Sequence, residues 1–382
     1  MKIEVKYPRA RPYFSHDMKT NILNDISGIL DSGMLTQGAY VAKFESNFKK
    51  EIGTDYAIAT SSCTSALEIA IRALGLSDTN ILVTTNTWMS CANVILLTGN
   101  KPVFVDIDAD TLNMCTDDLI SKLDNVGAIL WVHMAGLISP DFLKVKEICD
   151  KKDIRIIEDC AHAHGATIEG KLAGSLGDVG CFSFYPTKIM ATGEGGMITT
   201  DNADIATKAD IYRNHGTTRN PQKVIGLDYG VTCHYPSQNF RMTEIAGILG
   251  LYQLEHLQSF VKSRNCVANL YRKYLKDIPG IKLLPKYEGH SYWNFFILLE
   301  KDINRDEFAK ILLHEYGIQT ANAYAPAIHQ QEMFKTYLYG TELPVADDIL
   351  TRHISLPMYV TLTGQDIHYI TNCIKDASNK SK

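Results

Sequence analysis

The sequence predicts an α/β fold, a mostly parallel sheet flanked by helices, followed by a smaller C-terminal α/β domain. Three observations carry this. Short runs rich in Val, Ile and Leu alternate with stretches whose apolar residues recur at helical spacing, as in sheets built from crossover connections. One such run, Ile154-Arg-Ile-Ile157, delivers an acidic pair, Glu158-Asp159, at its carboxyl end. Ligands of open α/β sheets bind at that edge. After about Gly280 the alternation restarts with its own strand and helices. A chain of 382 residues is long for one core and implies about two domains. The expected division is a large domain at 1–255 and a small one at 256–382.

The elements follow in order. Ile22, Leu23, Ile26, Ile29 and Leu30 mark a helix over 18–30. Leu67, Ile71 and Leu74 mark another over 65–76, with Thr64 or Ser65 as N-cap. Ile81–Thr84 reads as a strand, Ser90–Leu97 as a helix and Lys101–Asp106 as a strand. Ala128–His133 is a buried strand, Asp141–Lys151 a helix and Ile154–Ile157 the strand that ends at the acids. Cys181–Phe184 and Met197–Thr200 read as two strands flanking Lys188. A helix over 242–257 is expected to run on toward Val267 and Leu270. The small domain begins with a strand at Asn294–Leu299 and continues with helices at Arg305–Tyr316 and Gly364–Ala377.

Composition narrows the function. Apolar residues make up 45% of the chain and charged residues 21%, as in ordinary globular proteins. A net charge of −5 argues against a nucleic-acid partner. No run reaches the length of a membrane span, and the N-terminus has no apolar signal region. Nine scattered cysteines without a C-x-x-C pair suit a reducing, cytoplasmic setting. Dinucleotide-binding, Walker A, zincin and G-x-S-x-G motifs are missing from the sequence.

The chemistry centres on Asp159 and on Ser183-Phe-Tyr-Pro-Thr-Lys188, which precedes Gly193-Glu-Gly-Gly196. A strand-end carboxylate followed by Ser-x-x-x-x-Lys suits a protein that holds pyridoxal phosphate. The carboxylate keeps the pyridine nitrogen protonated, the amine forms the Schiff base, and a hydroxyl helps hold the phosphate. An acid in this place also serves as a helix cap, and the glycine cluster also makes a plain hairpin turn. Ser61-Ser-Cys-Thr64-Ser65 opens a helix whose N–H groups suit a phosphate, or is an ordinary cap. Trp88 follows a strand and suits stacking on a cofactor ring, or a place in the core or at an interface. His162 suits a hydrogen bond to the ring hydroxyl, whereas His164 reads as structural. Their spacing alone makes no metal site, and no metal is expected.

These segments resemble the DegT-type (StrS-like) sugar aminotransferases, of the aspartate aminotransferase fold type I. The resemblance spans nearly the whole chain. It rests on Ser32-Gly-Met-Leu-Thr-Gln-Gly38, Ser62-Cys-Thr-Ser-Ala-Leu67, Thr87-Trp-Met-Ser-Cys-Ala-Asn93, Glu158-Asp-Cys-Ala-His-Ala-His-Gly165, the Lys188 segment, Arg213-Asn-His-Gly216 and Gln238-Asn-Phe-Arg-Met242. It implies that Lys188 carries the cofactor and later shuttles the proton, that Asp159 pairs with the ring nitrogen, and that Trp88 stacks on the ring. Thr64, Ser65 and Ser183 would bind the phosphate. Asn239 would reach the phosphate of the neighbouring subunit, making a homodimer with shared sites. Leu35, Thr36, Gln37 and His329 would line the substrate pocket. Cys63 stands where the family usually has Gly, and His162 where Gln is commoner. A dehydratase branch has His in place of the lysine, so Lys188 favours transamination.

The function implied is amino transfer from an amino acid, L-glutamate, to a ketosugar, most simply a nucleotide-linked one, in surface-polysaccharide or amino-sugar biosynthesis. The cofactor would pass through its pyridoxamine 5'-phosphate form. Two alternatives stand beside it: a small phosphorylated ketone or keto-cyclitol as acceptor, and a non-catalytic binding or regulatory protein of the same fold.

Overall fold

The computed structural model describes residues 4–219 and 230–382. Helices α1 (His16–Ser32) and α2 (Ala39–Ile52) lead into strand β1 (Tyr56–Thr60). Then come α3 (Cys63–Ala73), β2 (Asn80–Thr84), α4 (Ser90–Leu97), β3 (Lys101–Val105), α5 (Thr116–Ser121), β4 (Val126–Val132), α6 (Phe142–Lys152) and β5 (Arg155–Asp159). A small ribbon, β6 (Thr167–Ile168) and β7 (Lys171–Leu172), precedes β8 (Val179–Ser183) and β9 (Gly196–Thr200). Next are α7 (Ala203–Arg213), the ribbon β10 (Thr217–Arg219) and β11 (Val231–Cys233), α8 (Glu244–Glu255) and α9 (Leu257–Leu275). The chain closes with β12 (Ile281–Leu283), β13 (Phe295–Leu299), α10 (Arg305–Tyr316), α11 (Pro344–Arg352), β14 (His353–Leu356) and α12 (Gly364–Lys380).

Seven strands form the main sheet in the order β1-β9-β8-β5-β4-β2-β3. The pairings β2/β3, β2/β4, β4/β5 and β5/β8 are parallel, while β1/β9 and β8/β9 are antiparallel. The expectation of a mostly parallel sheet holds. Pro102 lies in β3, an edge strand, where a missing N–H costs no ladder bond. A second sheet, β12-β13-β14, is antiparallel.

Two hydrophobic cores match the two sheets. The first gathers Phe44 and Phe48 of α2, Leu67 and Ile71 of α3, and the inner faces of β2, β4, β5 and β8. The second gathers Tyr271 of α9, Phe295 and Ile297 of β13, Phe308 of α10 and Ile370 of α12. Tyr7 also belongs to the second core, because the N-terminal segment pairs with Gly317 and Gln319. Residues 323–350 contribute Ala327, Phe334 and Leu350 to the first.

Several elements differ from the sequence expectation. The helix over 242–257 does not run on unbroken: His256, at φ −108° and ψ 1°, separates α8 from α9. Helix α2 and strand β1 extend the expectation. The helix shows its amphipathic pattern in Val41, Phe44, Phe48 and Ile52 and ends at Gly53 with φ 83°. The strand Tyr-Ala-Ile-Ala-Thr is short and Ala-rich, and it exists because it pairs with β9. Among the described residues no helix is long and apolar enough to cross a membrane.

Candidate active site

Strand β5 places two carboxylates side by side on opposite faces. Asp159 is 5% exposed and reaches a cavity of about 500 Å³ at the carboxyl end of the sheet. Its Oδ1 accepts the Ala161 N–H at 2.9 Å, and its Oδ2 accepts the Cys91 thiol at 3.1 Å. The Cys63 thiol stands 3.9 Å from Oδ1. Burial and the adjoining Asp159 charge push both thiols well up, so they stay protonated donors.

Lys188 lies on the same cavity wall, in the loop between β8 and β9. That loop is pinned by Phe184 N–H to Gly195 O at 2.9 Å, Thr192 N–H to Phe184 O at 2.8 Å and Lys188 N–H to Tyr185 O at 2.9 Å. Gly193, at φ 89°, makes the turn. Gly196 lets β9 approach the start of α3: a Cβ there would stand 2.4 Å from the Ser62 carbonyl. The Lys188 ammonium lies 4.5 Å from the centroid of the Trp293 ring. Burial lowers the Lys188 pKa to about 8 against the opposing pull of Asp159. A substantial neutral fraction near physiological pH suits an amine that must act as nucleophile and base.

Helix α3 points its N-terminus at the cavity. Ser62 caps it, and Ser65 completes the reciprocal box: Ser65 N–H donates to Ser62 Oγ at 3.1 Å and Ser62 N–H to Ser65 Oγ at 3.0 Å. The Ser65 hydroxyl also donates to the Ser62 carbonyl at 2.7 Å and is not among the groups lining the cavity. Thr64 is exposed and does line it, as does Ser183.

His162 lies face to face with Trp293, centroids 3.5 Å apart and planes 8° from parallel. Its Nε2 is 3.1 Å from the Tyr324 hydroxyl, and its Nδ1 is buried without a partner. Burial, then the nearby Lys188 charge, push its pKa well down, so the ring is neutral. Trp88 is 54% exposed and lines the cavity against Tyr324, which excludes its core alternative. His164 is fully buried against Phe182 and Phe184, as a structural residue should be.

The remaining expected residues fall elsewhere. Leu35, Thr36 and Gln37 are exposed, and Thr36 donates to the Met242 carbonyl at 3.1 Å. Asn239 is exposed, its Oδ1 accepting the Arg241 N–H at 3.2 Å. His329 is 5% exposed and bonded on both sides, by Nδ1 to the Thr85 hydroxyl and by Nε2 to Asp347 at 3.0 Å. None of these five lines the cavity.

The cavity also holds residues beyond the sequence expectation: Arg9, Tyr185, Glu194, Trp293 and Tyr324. Tyr185 and Glu194 fall within the Lys188 segment and the Gly193–Gly196 turn already singled out, whereas Arg9, Trp293 and Tyr324 lie in segments without a local chemical signature. Cys91, four residues after Thr87, likewise lies in a segment already singled out. The buried group His133, Glu158 and Cys160 brings three possible metal donors together. Glu158 is already occupied there by His133 and three backbone N–H groups.

The residues present fit pyridoxal phosphate. A carboxylate stands at the strand end, an amine of lowered pKa shares its cavity, a helix N-terminus with Thr64 and Ser183 suits the phosphate, and a buried His162 nitrogen is left unpartnered. Comparisons with known proteins agree. The model of the DegT/DnrJ/EryC1/StrS aminotransferase family matches residues 16–375. The chain is 32% identical to the spore coat polysaccharide biosynthesis protein SpsC of Bacillus subtilis, over 93% of each chain. It is 31% identical to GDP-perosamine synthase of Escherichia coli O157:H7, over 92% of this chain and 94% of the other. Among solved structures it is similar to the GDP-4-keto-6-deoxy-D-mannose-3-dehydratase of Escherichia coli with bound hydrated PLP, at TM-score 0.89 and 26% identity over 97% of this chain and all of that one. The chain belongs to the DegT/DnrJ/EryC1/StrS aminotransferase family and is a pyridoxal phosphate-dependent sugar aminotransferase.

Proposed function

From that family membership as premise, we propose that this enzyme takes an amino group from L-glutamate and passes it to the ketone of a nucleotide-linked sugar. The product would feed amino-sugar or surface-polysaccharide synthesis. The observation that carries this is the single cavity shared by Asp159, Lys188 and the N-terminus of α3. The names of the polysaccharide and GDP-sugar relatives support the acceptor class.

Pyridoxal phosphate, when bound, supplies an electron sink that allows an amino group to leave one carbon and join another. The protein supplies the rest. Asp159 presents a carboxylate, steadied by Ala161 and Cys91, that would hold the proton on the pyridine nitrogen. Thr64, Ser183 and the first N–H groups of α3 would bind the phosphate. Trp88 would cover the ring, and the unpartnered Nδ1 of His162 is free for its hydroxyl. Lys188 Nζ would shuttle a proton between the substrate carbon and the cofactor in each half-reaction, away from the donor carbon in the first and onto the acceptor carbon in the second. Lys188 also sets this chain apart from the dehydratase branch. Purified enzyme should be yellow and should bleach with L-glutamate; an enzyme that no amino acid bleaches defeats the reading. Binding of GDP, UDP, CDP and dTDP tests the acceptor, and binding of none favours the small-ketone alternative.

The same reading makes the enzyme a cytoplasmic homodimer. All nine cysteines are free, which suits a reducing compartment. Met34, Leu35, Trp88 and Tyr185 are exposed apolar side chains of the kind an interface covers. Leu35, Thr36, Gln37 and Asn239, also exposed, would complete the neighbour's site. Mixing Lys188→Ala with Asn239→Ala chains should restore activity that neither has alone. The division near 255 is supported by the His256 break and by the separate antiparallel sheet β12-β13-β14, while residues 323–350 pack back on the first core and Tyr7 on the second.

A further inference from the structure

Lys188 is a half-buried lysine without a polar partner for its amine. Lys122, half-buried too, is paired with Asp118 at 2.7 Å and with the Phe104 carbonyl at 3.0 Å. Among the described residues the Lys188 side-chain nitrogen forms no hydrogen bond or ion pair, and what it meets is the Trp293 ring, 4.5 Å from the centroid. The same indole donates its Nε1–H to the Thr187 carbonyl at 2.8 Å, one residue before the lysine. His162 stacks on that indole at 3.5 Å. Trp293 is 3% exposed and its backbone is clamped. Its N–H donates to the Ala135 carbonyl at 2.8 Å, and its carbonyl accepts Arg264 Nη1 at 3.2 Å. One fixed indole therefore touches both the side chain and the backbone of the lysine segment.

We propose that Trp293 is a positioning residue for Lys188: its ring face holds the free amine, and its N–H fixes the adjoining peptide, while the amine moves protons. The assignment rests on the role given to Lys188 above. A free amine on a flexible four-carbon stem needs a restraint to stay near the reacting carbon. A carboxylate in contact would supply one, but it would favour the charged form strongly and hinder return of the proton. A ring face attracts the ammonium more weakly and has no basic lone pair with which to take its proton. The amine thus keeps its place, and both protonation states stay within reach. Burial lowers its pKa, Asp159, Cys63 and Cys91 pull it up, and Arg9 pushes it further down. His162 is neutral, and Tyr185, Glu194 and Tyr324 line the same cavity. All of these are retained in a chain changed only at Trp293.

The test reads the amine itself. Replacing Trp293 site-specifically by tryptophans with successive fluorines on the six-membered ring drains charge from the ring face and leaves shape and N–H in place. In the cofactor-free full-length chain, capture of pyridoxal phosphate should have its pH midpoint at about 8 in the wild type. A ring face that holds the ammonium favours the charged form, so fluorination should lower the midpoint stepwise, by about 0.5–1.5 units in all. Trp293→Phe keeps a weaker face and loses the N–H, so its midpoint should fall too. In the cofactor-loaded Trp293→Phe enzyme, bleaching at saturating L-glutamate should slow while the half-saturating concentration stays in place, since the ring holds the base and not the donor. Trp293→Phe carries the test should the fluorinated chains not fold. A midpoint that stays fixed or rises overturns the proposal, and a lowered melting temperature beside a fixed midpoint marks Trp293 as packing alone. Unslowed bleaching in Trp293→Phe overturns it as well. A wild-type chain that captures no cofactor, or a Lys188→Ala chain that captures it equally fast, defeats the role of Lys188 itself. A wild type with its midpoint near 8 and variants that share it defeats only Trp293.

Discussion

Glu158 and Asp159 are neighbours on β5, both buried, yet they serve the molecule in different ways. Glu158 points to the side closed by the 174–177 turn and His133. Its oxygens accept the N–H groups of Gly174, Leu176 and Gly177 and meet His133 Nε2, at 2.7 to 2.9 Å. Burial raises its pKa, but His133 and the backbone donors outweigh that, and the net direction is down. Asp159 accepts one backbone N–H and one thiol at close range and faces a cavity with Lys188. A saturated carboxylate organises the chain, whereas one with acceptor capacity left over can bind something else.

The comparison can be broken or sharpened experimentally. The largest effect should come from Lys188→Ala, which removes the base opposite Asp159. Turnover should fall at least about 10²- to 10⁴-fold, and the yellow colour should be lost; full activity in a colourless variant would overturn the assignment. Asp159→Asn should follow, with a fall of about 10²- to 10³-fold, as for loss of a site charge, at near-normal melting temperature. Glu158→Ala should invert that pattern. It should cost about 3–5 kcal/mol of stability by leaving His133 and three N–H groups unpaired, read by denaturant unfolding, while the folded fraction still binds cofactor. Because the Glu158 pKa is depressed on folding, its contribution is present above the unfolded value of about 4.3 and fades as pH falls through the folded one.

A smaller effect lies in pH. Only the neutral Lys188 amine attacks an aldehyde, so cofactor-free enzyme should capture pyridoxal phosphate faster as pH rises through about 8. The Asp159 carboxylate raises that pKa, so Asp159→Asn should move the midpoint down, and Glu158→Ala should leave it in place. The smallest change expected is from Cys91→Ala, which removes one donor to Asp159. Cofactor affinity should weaken by on the order of 1 kcal/mol, measured by equilibrium titration.

Much of this was legible in the sequence because it depends on local pattern. Apolar runs with a period of two or of 3.6 exposed most of the sheet and its helices, and the acid at the end of β5 and the Lys188 segment could be read from chain order. Others escaped for physical reasons. β1 is too short and Ala-rich to declare itself and forms only against β9. The break at His256 interrupts a pattern that is apolar on both sides. His329 sits in a segment that reads as pocket lining, yet Thr85 and Asp347 occupy both its nitrogens.

By itself, the sequence determined the α/β class, the carboxylate and lysine, and the helix start that suits a phosphate, since each follows from periodicity, capping or the order of residues along one stretch. Alternation along β5 also required its two acids to face opposite ways. Which of them would meet a cavity was decided only in the tertiary structure, by the turn that saturates Glu158 and by the arrival of Lys188 beside Asp159. Tertiary structure alone likewise brought in Arg9, Trp293 and Tyr324. Their partners lie hundreds of residues away, and no local propensity encodes a contact over that distance.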